Sequence, residues 1–117
     1  MEEREWPSDW LRAVLPVVTL GVLARGPAHG YAVLQAFATL GLGSVKGGTL
    51  YPLLARQQAL GHVEPSWQAG PSGPARKVFV LTDSGRRELA RLSGSWRLLE
   101  GVVRAATANP GHHVEVT

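Results

Sequence analysis

Small groups of residues in this chain have the types and spacing to do chemistry. The first is Lys46-Gly47-Gly48-Thr49-Leu50-Tyr51, at what reads as the start of a helix. Glycines there let an anion approach the free N–H groups of the first turn, and the helix dipole favours negative charge at that end. Lys46 adds a cation. Thr49 and Tyr51 are polar positions on the first turn, the part that in a recognition helix would reach base edges, and Arg56, in the middle of the same helix, is a candidate phosphate contact. The plainer alternative is that Gly48 is a cap, Tyr51 a core aromatic and Arg56 a solvated cation. The second group is Arg76-Lys77, two adjacent cations beside a flexible loop. Such a pair suits backbone or minor-groove contact with DNA. The third is Trp96 with Glu100, one helical turn apart on one face. An indole beside a carboxylate suits flat, cationic or hydrogen-bonding guests, and Trp10 is a candidate for a further wall. The alternative is that both tryptophans simply pack at a dimer interface.

Catalytic chemistry finds no such grouping. There are no cysteines, which excludes disulfides, thiolate metal sites and cysteine nucleophiles. No His/Asp/Ser set has a plausible scaffold, no carboxylates are paired, and no phosphate-loop or dinucleotide pattern occurs. Ser84, Ser93 and Ser95 read as capping or helix-packing residues. His29, before Gly30-Tyr31, reads as a cap or turn residue. His112-His113 are adjacent and on a helix would point about 100° apart, a poor start for a metal site. The expectation is no enzyme, no cofactor and no metal.

Helices and a short sheet must position the three groups. Ser8 or Asp9 can cap a first helix from Trp10 to about Arg25, ending at Gly26-Pro27. Pro16 inside it predicts a kink or a break into two helices. Nearly every face from Leu11 to Leu23 is apolar, which predicts burial on more than one side. A second helix spans Ala28 to Leu40, with Tyr31, Leu34, Phe37 and Ala38 on one face, and breaks at Gly41-Leu42-Gly43. A third spans Gly48 to Leu60, with Leu50, Leu53 and Leu54 inward, Pro52 in its first turns and Gly61 as C′ residue. Strands follow at His62–Trp67, where Pro65 argues for an edge, and at Arg76–Leu81, with a Gly/Pro-rich turn between them.

Thr82 or Asp83 caps the last helix, to about Ala108. Its apolar positions Leu89, Leu92, Trp96, Leu99, Val103 and Ala106 follow a 3-4-3-4-3 spacing, a heptad seam. Leu98 and Val102 widen the stripe. A helix of roughly 39 Å cannot bury that seam on so small a body, so a second helix of the same kind is the expected cover.

Composition sets the outer bounds. The 117 residues make one domain by size, and 44% hydrophobic residues supply one modest core. Net charge is +3, with the acids gathered at the N-terminus. From Arg12 to Arg104 eleven basic residues face four acidic ones, Glu64, Asp83, Glu88 and Glu100, so the body is more basic than the total. The start Met1-Glu2-Glu3 is unlike a signal peptide. The apolar stretch Ala13 to Ala24 is too short for a membrane span. A cytoplasmic protein is expected. The fold class is mainly α with a small β-wing: a winged helix-turn-helix over 1–82, its N-terminal helix (9–25) joining the dimer interface, then a dimerisation helix over 83–108 and a flexible tail over 109–117.

Several pieces carry a family resemblance: Leu20-Gly21-Val22-Leu23, Gly26-Pro27, His29-Gly30-Tyr31, Gly48-Thr49-Leu50-Tyr51-Pro52-Leu53-Leu54, Gly73-Pro74, Arg76-Lys77 and Leu81-Thr82-Asp83-Ser84-Gly85. The chain resembles the PadR-type transcriptional regulators of the short subgroup, with one C-terminal dimerisation helix. The resemblance runs from about residue 11 to 104. It implies a homodimeric repressor on double-stranded DNA with an inverted-repeat operator. By position, Lys46, Thr49 and Tyr51 would serve the recognition helix and Arg76 and Lys77 the wing, beside Gly48 and Arg56 from the residue reading above. Leu89, Leu92, Trp96, Leu99 and Val103 would build the dimer. A multidrug-binding relative implies a planar aromatic effector between Trp96, Glu100, Trp10, Ala13 and Val17. Departures are Val78, Phe79 and Val80 in place of two tyrosines and an arginine, Gln57 in place of a core leucine, an apolar Leu60 near a charged position, and Pro16. Two other readings stand beside the repressor: a winged-helix protein-interaction module without DNA binding, and a drug-binding protein.

Overall fold

The computed structural model describes residues 5–108, in the order α1 (Ser8–Leu23), α2 (Gly30–Thr39), α3 (Gly47–Ala59), β1 (Val63–Gln68), β2 (Arg76–Leu81) and α4 (Asp83–Thr107). The first four residues, Met1–Arg4, and the tail 109–117 with His112-His113 lie outside the described residues. The architecture is the expected one: helices with a two-stranded antiparallel wing and a long last helix. The core joins Leu20 and Leu23 of α1, Val33 and Phe37 of α2, and Leu50 and Leu54 of α3 to Val63, Phe79 and Leu81 of the strands.

Helix α1 begins earlier than its composition suggests. Pro7 is the cap residue, and its carbonyl accepts from Trp10 and Leu11 N–H at 3.0 and 3.1 Å. Ser8 and Asp9 therefore lie inside the helix and cap nothing. The helix ends at Leu23, two residues short of Arg25, and it is a single helix rather than two meeting at Pro16. Proline removes only the one bond to the Arg12 carbonyl, and Arg12 is exposed, so water can satisfy that oxygen. Burial is also uneven. Leu15, Thr19, Leu20, Val22 and Leu23 are buried, but Trp10 and Ala13 are exposed.

Helix α2 starts at Gly30, not Ala28. Ala28 instead pairs with Phe79 as an isolated antiparallel bridge, with N···O distances of 3.2 and 2.8 Å. The inward face is Gly30, Val33 and Phe37, spaced 3 and 4 apart, with Leu34 half-buried. Tyr31 and Ala38, expected on that face, are exposed.

The ends of α2 and α3 are built alike. Gly41 and Gly61 sit at φ +98° and +80°, a region in which a side chain is strained. Behind each, the next two N–H groups reach back in a Schellman pattern: Gly41 to Ala38 and Leu42 to Phe37, Gly61 to Gln58 and His62 to Gln57. Gln57, standing where leucine is expected, is buried after all. Its Oε1 accepts from His62 Nδ1 at 2.8 Å, so the polar group is satisfied at the edge of the core. The packing of α3 is not rotated by the exchange: Leu50 and Leu54 stay buried, Leu53 is half-buried and Leu60 is exposed. Pro52 falls in the second turn. The Gly48 carbonyl thus loses its helical partner, and both residues are exposed to water.

The wing register pairs Val63 with Leu81, Pro65 with Phe79 and Trp67 with Lys77. β1 starts one residue later than His62. Pro65 sits on the outer edge, since β2 holds β1 on one side and Ala28 on the other. Thr82 caps α4, its Oγ1 accepting from Gly85 N–H at 3.0 Å while its hydroxyl donates to the Gly61 carbonyl at 2.6 Å. Gly85 lets the helix touch the preceding turn. A Cβ there would overlap the His62 carbonyl oxygen and stand 2.6 Å from Leu81 Cδ1.

Candidate nucleic-acid interface

The outer face of α3 carries the first group of residues. Gly48, Thr49, Tyr51 and Arg56 are exposed, while Leu50 and Leu54 behind them are at most 1% exposed. Lys46 is the residue before the helix. It makes no side-chain cap, and its ammonium donates to the Gly43 carbonyl at 3.0 Å, folding over the turn. Nothing stands within 4 Å of a Cβ placed at Gly48, so this first turn is open. Tyr51 is not a core aromatic, for it is 51% exposed.

Tyr51 instead lies across the start of α2. A Cβ at Gly30 would collide with its hydroxyl and stand 2.6 Å from its Cε1. The glycine of His29-Gly30-Tyr31 and the tyrosine of Gly48-Thr49-Leu50-Tyr51 are thus a matched pair in space, which explains why the small residue stands there. Around them lies a shallow cleft lined by His29, Gly30, Tyr31, Tyr51, Arg76, Lys77 and Phe79. The bridge from Ala28 to Phe79 brings the wing against α2 and so brings Arg76 to His29.

Charge in this cleft has one sign. Among the described residues its lining holds Arg76 and Lys77 and no carboxylate. The ion pairs among the described residues lie elsewhere, at Asp9–Arg12, Glu88–Arg91 and Glu100–Arg104. Lys77 Nζ sits 5.2 Å above the Phe79 ring, a cation–π contact that holds the ammonium in place without neutralising it. The apolar departures in the wing are structural: Val78 and Phe79 are buried and Val80 half-buried. They fix β2 and leave the cationic residues at its exposed start.

A family model described as the PadR-like transcriptional regulators matches residues 19–91, which hold α2, α3, the wing and the first turns of α4. The chain belongs to the PadR-like family. Members of that family are transcriptional regulators, not enzymes. A solved PadR-like transcriptional regulator from Bacillus cereus is similar at 28% identity and a TM-score of 0.80, over 86% of this chain and 98% of that one. A PadR family transcriptional regulator from Eggerthella lenta is similar at 30% identity and a TM-score of 0.73, over 92% and 89%. An uncharacterized 37.1 kDa protein of a transposon from Streptomyces fradiae is 37% identical over 87 residues. Those residues are 74% of this chain but 24% of that relative, so this chain spans about a quarter of its length.

The remaining candidate residues of this PadR-like chain fall on α4 and α1. Leu89 and Leu92 are half-buried against the core, Trp96 is half-buried, and Leu99 and Val103 are exposed. Glu100 is exposed and paired with Arg104 one turn on. Trp10 is exposed and tilted against Trp6, with ring centroids 6.4 Å apart, and Trp6 donates from Nε1 to the Gly41 carbonyl at 3.2 Å. Among the residues expected around an effector, Val17 lines a groove that exists within one chain. That groove runs between α1 and α4, past Val18, Gly21 and Leu89. Sequence reasoning missed Tyr31 and Phe79 as lining of the basic cleft and took His29 for a cap alone. The Ala28–Phe79 bridge brings His29 and Tyr31 beside the wing, and no local pattern announces a single bridge.

No helix among the described residues is long and apolar enough to cross a membrane.

Proposed function

We propose that this chain is a homodimeric transcriptional repressor that reads an inverted-repeat operator in double-stranded DNA through α3 and its wing. The observation that carries this reading is the basic, carboxylate-free cleft beside the open first turn of α3. Thr49 and Tyr51 offer hydroxyls to base edges, and the free N–H groups at Gly47 and Gly48 offer donors to a phosphate. Arg56, Arg76 and Lys77 supply the sequence-independent attraction. Lys46 swings off the Gly43 carbonyl to join them. Membership of a family of transcriptional regulators supports the same reading.

Dimerisation is supported by the second half of α4. Leu98, Leu99, Val102 and Val103 are exposed there on one helix. Four neighbouring apolar side chains left in water call for a partner surface, and the heptad spacing suits an identical helix. A planar aromatic effector, preferably cationic, fits a dimer centre in which two Trp96 indoles and two Glu100 carboxylates meet around one axis, with Trp10, Ala13 and Val17 as walls. Arg104 competes for Glu100, so a cationic guest must displace that pair. To release the operator, the guest must bind the DNA-free arrangement better than the DNA-bound one.

Selection of bound sequences from a random DNA pool, with and without planar cationic dyes, tests all of this. The expected outcome is an inverted repeat whose half-sites lie about 34 Å apart, with binding weakened by the dye and Trp fluorescence quenched. A pool that enriches no sequence favours the protein-interaction module, and dye binding without any enrichment favours the drug-binding protein.

A further inference from the structure

The His29 ring has two nitrogens in two roles. Nδ1 accepts the Ala32 N–H at 3.1 Å and so caps α2. A nitrogen that accepts carries no proton, so in the neutral ring the hydrogen is on Nε2. Nε2 stands 3.5 Å from Arg76 Nη1, and guanidinium nitrogens only donate. The contact between α2 and the wing is therefore two donors facing each other. It is not a hydrogen bond, and it lacks the acceptor that would complete it. Two donors at that separation can both reach one oxygen, or two oxygens of one tetrahedral group, at ordinary hydrogen-bond lengths of about 2.9 Å. Lys77 and Tyr51 line the same cleft, and among the described residues no carboxylate lines it. The His29 and Tyr31 rings lie 8° from parallel with centroids 6.5 Å apart, so the imidazole runs alongside the tyrosine.

We infer that His29 and Arg76 together form a seat for one phosphodiester of the DNA backbone, His29 Nε2–H and the Arg76 guanidinium donating to the same phosphate. The inference rests on the DNA-binding reading above and adds to it a contact from α2, outside both the recognition helix and the wing. The seat couples the two: a phosphate held there ties the start of α2 to the start of β2 and sets the height at which α3 enters the groove. His29 thus acts as a cap to its own helix and as a neutral donor to DNA, and the cap bond enforces the tautomer that the donor role needs.

His29→Ser separates the two roles, because serine still caps the helix but cannot reach the phosphate. Operators enriched by the wild type are titrated by fluorescence anisotropy at several salt concentrations. His29→Ser should keep the urea midpoint and lose about tenfold in affinity, as for a hydrogen bond to a charged group. Its salt slope should match the wild type, since a neutral ring displaces no counterion. Arg76→Gln should flatten the slope by about one. The double variant should lose less than the product of the single losses, because both donors serve one acceptor. A methylphosphonate at a single backbone position should weaken the wild type most, His29→Ser less because only Arg76 still uses that phosphate, and the double variant not at all. His29→Ser binding within twofold of wild type, or losses that multiply with no single phosphate responsible, overturns the seat and leaves DNA binding by α3 standing. A His29-dependent response to inorganic phosphate at constant ionic strength, without effect on operator binding, overturns the assignment to the DNA backbone. A wild type that enriches no DNA overturns both.

Discussion

Tyr51 on α3 and Leu99 on α4 are each 51% exposed, and the same number means different things. Tyr51 stands on a helix whose opposite side, Leu50 and Leu54, is fully in the core, and its ring rests on Gly30. That surface is finished: its exposed groups are hydroxyls, glycine backbone and cations that water solvates well. Leu99 stands on a stretch in which every residue from Arg97 to Thr107 is exposed, with Leu98 at 76%. That half of α4 has no buried side. One face presents hydroxyls and cations, and the other leaves a run of apolar side chains in water.

Breaking the second face should give the largest effect. Leu99→Asp with Val103→Asp removes two buried side chains from each half of the proposed dimer, at least about 3 kcal/mol in total and a rise above 100-fold in the dimer dissociation constant. Sedimentation equilibrium measures this, and a stable wild-type monomer at micromolar concentration would sink the assignment of this face. Gly85→Val tests the joint between the two regions. Its side chain meets the His62 carbonyl and Leu81, so urea unfolding should show a loss of about 1–3 kcal/mol or more. Tyr51→Ala should cost about 1–3 kcal/mol of discrimination between operator and random DNA in gel-shift competition. Lys77→Ala should weaken both DNAs alike and flatten the salt slope by about one. Equal binding of operator by wild type and both variants would remove α3 and the wing from DNA recognition.

The smallest effect belongs to a surface pair on α4. Hydrogen bonds from Arg91 Nε and Nη2, at 2.7 and 2.8 Å, hold the Glu88 carboxyl below its usual range. A lowered carboxylate stabilises the fold fully above its unfolded value, and that contribution is lost as pH falls through the lower folded value. Glu88→Gln should therefore reduce stability slightly at neutral pH and not at all in strong acid, read as a shallower acid limb in urea midpoints against pH. An unchanged acid limb would show that this exposed pair contributes nothing.

Much of this molecule was legible in its residues because the signals are local. Gly61 at the end of α3, the β-branched and aromatic run of β2, and Thr82 before α4 each specify their own structure within a few positions. The misplacements have a common cause in contacts across the chain. Ala28 left α2 because Phe79 offered it a bridge. Tyr31 turned outward because Val33 and Phe37 took the core side, a choice that depends on where α1 and α3 lie. Gln57 could be buried only because His62, five residues on, turns back to meet its side chain. The basic cleft shares this character, since its residues come from α2, α3 and β2 and meet only in three dimensions.

The close approach at Gly85 gives α4 the mechanics of a lever. Its near end is fastened by Thr82 to Gly61 and by backbone contact to His62, which in turn holds Gln57 at the end of α3. The helix has 25 residues and is about 37 Å long, packed on the body through Leu89 and Leu92 and exposed on every side from Arg97 on. A tilt of about 5° at the fulcrum sweeps the far end through roughly 3 Å on such an arm. Conversely, in the proposed dimer a shift of a few ångströms between two α4 helices would be geared down to a few degrees at α3. Spacing changes at the far end of the helix would thus reach the opposite end of the molecule as small, graded rotations.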